Sequence, residues 1–548
     1  MSHRILKQII CIALTLTACT EKAAENFPNA FVTGFEINGR KVAPGGTANG
    51  IDGSDVTVTV FFSEDIDINR ADLSLFSITG TSDIFELLPG REPSCLDIHF
   101  KESLPDYQFY TLSILKGENC GLKLIDTYRL KFLTKLDDSD KFERIPTDEL
   151  LTLVQQKTFS YFWDYAHPVS GLAMERLNSG DTVTSGGSGF GIMGISVGIE
   201  RGFISREEGA TRVLNIVKFL YEKADRFHGA YPHWLNGSTG QAIAFSTKDN
   251  GADIVETAFL IEGLLTAREY FSRGNSEETA IREYITKIWE EVEWDWFLNG
   301  TNSLFWHWSP DYAWEMNMPV SGWNEALILY ILAASSPTHP IDRKAYDEGW
   351  AGNGRMKNGK SFYDIELPLG EDYGGPLFFS HYSFLGLDPR QLKDKYADYW
   401  EQNVAHARIN HEWCKNNPKG HYGYSDRCWG LTASDFHDGY TASSPLNDKG
   451  TIAPTAALSS FPYTPEESLN ALEYFYYALG DRIFGEYGFK DAFTLSRKWF
   501  ASSYIAIDQG PILLMIENYR SALLWNNFMK NREILEGLDK LGFTHTNQ

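Results

Sequence analysis

Positive charge is in short supply in this sequence. Its 49 lysines and arginines face 73 aspartates and glutamates, a formal net charge of −24. A nucleic-acid partner calls for a basic face, so that class of function is set aside. The balance suits a soluble protein with a neutral substrate, and a solvated acidic surface accounts for it equally well. Cysteine is scarce too: six in 548 residues, none at metal-ligand spacing, so no metal site is expected among them. No Gly-x-Ser-x-Gly elbow, His-Glu-x-x-His or Cys/His pair stands out, which sets aside hydrolysis through serine, cysteine or zinc. The glycine run 186–191 lacks the Lys-Ser/Thr of a phosphate loop; close helix packing suits it better. Beyond the N-terminus no apolar run is long enough to cross a membrane.

The chain starts with an export signal. Arg4 and Lys7 precede an apolar run, Ile9 to Leu16, that is too short to span a bilayer. Leu16-Thr17-Ala18-Cys19 then resembles a bacterial lipobox, in which Cys19 carries the lipid and becomes the new N-terminus. A plain secretory signal with Cys19 incidental is the alternative. An outer-membrane-anchored lipoprotein is expected, at the periplasmic face or the cell surface. It is held to the membrane by lipid alone and is monomeric. In that oxidising compartment Cys95 can pair with Cys120, and Cys414 with Cys428.

After a tether at 20–28, residues 29–136 alternate as strands do, in Val56–Phe62, Tyr110–Leu115 and Tyr128–Leu133. About seven short strands in this length suggest an immunoglobulin-like β-sandwich, acting as spacer or packing partner, or as a sugar-binding module. A linker at 137–146 follows. From 147 to 548 the period becomes helical, with helices expected at Glu149–Ala166, Glu207–Phe227, Ala252–Tyr270, Glu277–Trp296, Ser321–Ala334, Arg390–Arg408, Pro465–Leu479 and Ile516–Lys530. Some segments, such as Gly191–Ile199, are apolar all round and read as helices buried on every side. The fold class is therefore mainly α: an (α/α)6 toroid behind a small all-β sandwich. No solenoid repeat is visible.

Chemistry concentrates around Asp249, Asp253 and Glu256, spaced i, i+4, i+7, which on a helix form a single acidic stripe, with Asp249 at or just before the helix start because Asn250-Gly251 reads as a turn. First-turn acidity favoured by the helix dipole is the plain explanation. The surroundings favour a sugar site, because Tyr231, His233 and Trp234 lie upstream and Trp306 and Trp308 downstream. Sugar rings stack on flat side chains, and their hydroxyls bind carboxylates. Glu325, directly after Trp323 and Asn324, is either a capping-box partner of Ser321 or a carboxyl raised by apolar surroundings into a general acid. Asp508, in Asp-Gln-Gly-Pro, is a candidate base or water-positioning carboxylate. Glu517 and Arg520 read as an i, i+3 ion pair. Tyr373, His381 and Trp429 complete the candidate sugar contacts.

The runs Gly186–Gly191, Gly229–Trp234, Asp249–Phe259, Trp323–Glu325 and Ile507–Pro511 resemble the bacterial glucoamylase-like domain, and more narrowly glycoside hydrolase family 144, the endo-β-1,2-glucanases. The resemblance covers about residues 145–535 and leaves out the sandwich. It implies an (α/α)6 toroid and inverting, cofactor-free hydrolysis of β-1,2-glucan to short oligosaccharides. Asp249, Asp253 and Glu256 match the family's acidic cluster, and Glu325 matches its proposed acid. Placing the base at Asp508 is the present reading. A glycan-binding lipoprotein, an exo-acting glucosidase of another linkage and a polysaccharide lyase remain as alternatives, although an acidic cleft would repel a lyase's uronate substrate.

Overall fold

The computed structural model describes residues 26–79 and 85–545; the lipobox and Cys19 lie outside them. The chain divides into two compact units between Leu136 and Asp137. No helix among the described residues is long and apolar enough to cross a membrane.

The first unit is all β. One sheet is antiparallel, in the order Arg40–Val42, Val32–Ile37, Thr57–Phe62, Cys95–Phe100, Phe85–Pro89. A second has the order Thr47–Ile51, Tyr128–Thr134, Phe109–Ile114, Phe76–Ile78, its first pair parallel. Alternation sends Val58 and Val60 from one sheet, and Leu112, Leu130 and Phe132 from the other, into one shared core. The described residues hold more strands here than the expected seven or so. The additional ones, such as Asn29–Ala30 and Leu122–Leu124, are too short to show a period.

The second unit is helical. Its longer helices are α1 (Thr147–Trp163), α2 (Ser185–Glu200), α3 (Arg206–Glu222), α4 (Ile254–Tyr270), α5 (Ser276–Glu290), α6 (Leu327–Ser335) and α7 (Tyr399–Asn416). They are followed by α8 (Pro454–Leu458), α9 (Pro465–Glu473), α10 (Gly480–Ile483), α11 (Ala506–Ser521), α12 (Leu523–Phe528) and α13 (Arg532–Leu541). Two kinds alternate. α2, α4, α6 and α11 are buried nearly throughout, whereas α3 and α5 bury one apolar face and pack on each other.

Small residues set the spacing of the buried helices. A Cβ on Gly189 of α2 would run into the Phe259 carbonyl of α4, and one on Gly263 would meet the backbone of Gly189. Contacts advance together along these helices: Gly186 meets Glu256 and Gly189 meets Leu260, while Gly187 meets Ala506 and Gly194 meets Leu513. Thus α2, α4 and α11 run side by side in one direction, and their N-termini gather at one end. α1 runs opposite to α11, with Asp148 and Thr152 against Arg520 and Gln155 against Glu517.

Several expectations are corrected here. Glu517 and Arg520 do not pair. Glu517 accepts from Arg201 at 2.6 and 2.7 Å, and Arg520 donates to Asp148 at 2.6 Å. α6 starts at Leu327 with Ala326 as N-cap, so Glu325 precedes the helix and is no capping-box partner of Ser321. α11 starts at Ala506, ahead of the expected Ile516, which puts Asp508 inside its first turn. Its first turns are buried too, Gln509 and Gly510 included. α7 lies downstream of the expected Arg390–Arg408. Cys95, Cys120, Cys414 and Cys428 are all buried free thiols.

Candidate active site

Asp249, Asp253 and Glu256 converge, but not as a stripe on one helix. Ser246 and Asp249 bridge a turn, and Ala252–Asp253 is extended and pairs with His307–Trp308; only Glu256 lies in α4. Asp253 caps α4 through Oδ1, which accepts the Val255 and Glu256 N–H groups at 3.0 and 2.9 Å. Its Oδ2 faces His233 Nδ1 at 3.1 Å and the Trp306 indole N–H at 3.3 Å. Asp249 Oδ2 lies 3.2 Å from His307 Nε2, while its buried Oδ1 has no donor within the protein. Glu256 Oε2 accepts the Gly186 N–H at 3.0 Å, at the N-terminus of α2.

Three carboxylates this close need compensation, and two imidazoles supply it. Burial disfavours a charged His233, but Glu256, Asp253 and Asp249 outweigh it and raise its pKa to about 9. His307 is raised for the same reason, by Asp249 and Asp253 against burial. Asp253 stays below the ordinary carboxylate value: burial alone would raise it, but His233, His307 and the Glu256 amide prevail. Glu256 goes the other way, lifted by burial to about 7 although His233 pulls it down.

Glu325 faces this group from the turn before α6, where Asn324 Oδ1 accepts the Ala326 N–H at 2.9 Å and the Ser383 hydroxyl donates to the Glu325 carbonyl. Burial raises its carboxyl to about 7, with Glu256 and Asp253 adding repulsion. It can therefore hold a proton near neutrality. A second acidic group surrounds Asp508, which is 2% exposed and lies beside Asp491 and Asp435. Asp435 is paired with Arg176 at 3.2 Å. Burial raises the Tyr382 phenol, and Asp508, Glu325 and Glu256 add repulsion, so this buried side chain lies near both acidic groups.

Among the described residues, His233, Asp249 and Asp253 bring one donor atom each within 4.8 Å of one another, the geometry of a cation site. A cation there must displace the proton that the same carboxylates hold on His233.

The model of the Glycoamylase family, described as "Putative glucoamylase", matches residues 317–532. An endo-β-1,2-glucanase of Chitinophaga pinensis, solved with sophorotriose and glucose, is 54% identical over 73% of this chain and 99% of its own, with a TM-score of 0.72. The chain belongs to this glucoamylase-like family. It is of the glycoside hydrolase 144 type. A second family structure, the β-1,2-glucanase of Parabacteroides distasonis, is 38% identical over 94% of this chain and 74% of its own, with a TM-score of 0.71. An exo β-1,2-glucooligosaccharide sophorohydrolase (non-reducing end) of P. distasonis is 48% identical over 72% of this chain. The chain spans 58% of that relative's length.

In this family member the structure gathers Asp249, Asp253, Glu256, His233, Trp306 and Glu325. Trp234 stands nearby against Phe245, whose ring stacks on His233 at 4.2 Å and is 49% exposed. Trp308 packs among Trp296 and His228, and Asn324 shapes the turn that presents Glu325. Other expected sugar contacts are core, except Tyr373, which is half-buried. Tyr231 and Trp429 are 0% exposed, their polar atoms satisfied by the carbonyls of Leu220 and Glu467. His381, 2% exposed, bonds Ser460, and burial drops it to about 3. Trp323 is buried behind Glu325, against Phe384 and Tyr399, and Tyr373 packs on Phe362 and Trp413. The sequence patterns did not single out Asp491, Asp435, Arg176 or Tyr440. No local motif marks them; only the Arg-Glu and Asp-rich loop chemistry could have flagged two.

Proposed function

We propose that this protein is an inverting endo-glycoside hydrolase that cleaves β-1,2-glucan to short gluco-oligosaccharides, with Glu325 as general acid and Asp508 as general base. The reading is carried by Glu325, a carboxyl raised by burial to about 7 beside Glu256 and Asp253, with Tyr382 near both it and Asp508. The glycosidic C–O bond breaks with its electron pair going to the leaving oxygen, which takes the Glu325 proton. Water adds to the anomeric carbon from the other face and gives its proton to Asp508. Asp249, with its unsatisfied Oδ1, binds a sugar hydroxyl near that bond, Asp253 holds His233 and Trp306 in place, and Phe245 and Tyr440 offer half-exposed rings for sugar faces. The names of the two glucanase relatives support the β-1,2 linkage.

The parallel buried helices, with α1 antiparallel outside α11, support an (α/α)6 toroid, and the two-sheet unit supports an immunoglobulin-like sandwich. The lipobox reading supports a lipid anchor at Cys19, on a monomer exported to the outer membrane. Labelling with a radioactive fatty acid tests the anchor: it should fail in Cys19→Ser.

Incubation with long, linear β-1,2-glucan tests the activity, with products sized by chromatography and the first-formed anomer read by NMR. A ladder of short oligosaccharides released early as the α-anomer is expected. Sophorose alone would favour the exo reading, for which the sophorohydrolase relative speaks. No cleavage at all would refute hydrolysis of this glucan.

A further inference from the structure

Asp508 has a buried carboxyl neighbour, Asp491. Asp491 lies in the loop before Phe493–Thr494, 2% exposed. Its N–H donates to the Ser503 carbonyl at 3.0 Å; the Ser503 hydroxyl donates to Asp435 Oδ2 at 2.6 Å; and the Asp435 N–H donates back to Asp491 Oδ2 at 2.6 Å. This closed ring of hydrogen bonds fixes the Asp491 carboxyl plane. α11 is tied to the same loop region by Gln509, whose side chain donates to the Phe489 carbonyl at 2.8 Å. The Thr455 hydroxyl holds the Asp508 carbonyl at 2.8 Å.

One oxygen on each carboxyl is left over. Asp491 Oδ1 and Asp508 Oδ2 are both buried, and neither has a donor within the protein. The two side chains nevertheless lie within hydrogen-bonding reach of each other. Two ionised carboxylates cannot sit so in a buried site; one shared proton satisfies both oxygens.

We propose that Asp491 is the positioning residue of Asp508: it donates a shared proton from Oδ1 to Asp508 Oδ2, orienting the other Asp508 oxygen toward the attacking water and holding the pair at a single negative charge. This rests on the reading of Asp508 as the base. The groups around the pair agree with one retained proton. Burial and Asp435 raise Asp491, burial and Asp491 raise Asp508, and the Arg176 charge that opposes both is shared with Asp435 and Glu175. Tyr440 and Tyr382 feel the pair's charge and are themselves raised by burial, so they are neutral donors rather than counter-charges. During hydrolysis the water proton goes to Asp508, so the pair carries two protons and no charge. One returns to solvent after product leaves, while Glu325 takes up a proton in exchange for the one it gave.

Asparagine at 491 gives a decisive test, because its amide oxygen can accept the Asp435 N–H while its NH₂ donates to Asp508 Oδ2. Asp491→Asn should keep kcat within a few-fold of wild type, and Asp491→Ala should lose roughly 100-fold in kcat with KM unchanged, as expected when a reacting group loses its alignment. Equal losses in both variants, or no loss in either, would overturn the proposal. Should the alanine variant not fold, infrared difference spectra decide. Wild type minus Asp491→Asn at pH 8 must show a protonated-carboxyl band, and its absence refutes the shared proton. Asp508→Asn is run alongside, since full activity there would sink the base assignment itself, whatever Asp491 does.

Discussion

Replacing Glu325 by glutamine should inactivate the protein and stabilise it above neutral pH. In the folded chain burial raises this carboxyl from 4.5 to about 7, chiefly by taking it out of water. A raised carboxyl means the native state holds its proton more tightly than the unfolded chain does. That contribution is fully present below the unfolded value and is lost as pH climbs through about 7. At about 1.4 kcal/mol per tenfold difference in proton affinity, ionised Glu325 costs the folded protein about 3 kcal/mol at pH 8–9. Glutamine cannot ionise and avoids the cost. For a unit of ~400 residues, whose unfolding entropy is about 0.9 kcal/mol per degree, the gain is roughly 4 °C in Tm. Calorimetry from pH 4 to pH 9 should show wild type and Glu325→Gln melting together at the acid end and separating as pH rises, the variant higher. Turnover should fall by about 10²–10⁴-fold, the usual worth of a general acid. A Tm difference that does not change with pH would refute the buried-acid reasoning, and wild-type kcat in the variant would refute the acid role.

Wild-type activity should survive prolonged dialysis against EDTA, because His233 carries a proton where a cation would bind; loss of rate restored by a divalent metal would contradict this. Gly189→Ala drives a methyl into the α4 backbone and should destabilise by about 1–3 kcal/mol or more, measured by urea unfolding, and an unchanged midpoint would be incompatible with the α2–α4 spacing. Arg201→Met leaves Glu517 charged and buried at 1% exposure, so a loss of about 3–5 kcal/mol is expected in the same assay. A neutral effect there would mean that Glu517 is protonated in the variant.

Much of this was open to reading in the sequence. Apolar runs without a polar face, such as Gly191–Ile199, announced buried helices, and glycines spaced to touch announced close packing. The acidic trio was visible as a motif, and Asn250-Gly251 marked the turn beside Asp249, but the extended Ala252–Asp253 segment was not visible, because its pairing partner lies some fifty residues on. The Asn250-Gly251 turn and the pairing of Ala252–Asp253 with His307–Trp308 hold off the helix and still deliver the three carboxyls to one place. Aromatics misled most. Tyr231, Trp429 and His381 have the residue types of a sugar site and the burial of a core, and residue type cannot tell these apart. Asp491 was invisible, since its meaning comes only from a residue in a separate element, Asp508 on α11.

The Gly186–Glu256 contact limits how this protein can be altered. Glu256 is held by the Gly186 amide, and a Cβ at Gly186 would occupy the place of its Oε2. The donor is main chain, so no side-chain replacement can delete it, and the glycine that makes room for it tolerates no larger residue. The one readily adjustable neighbour is His233. Variation there, rather than around the glycine, is the open route to shifting the acidity of this group, and enzymes redesigned for another pH should be sought among substitutions at that imidazole.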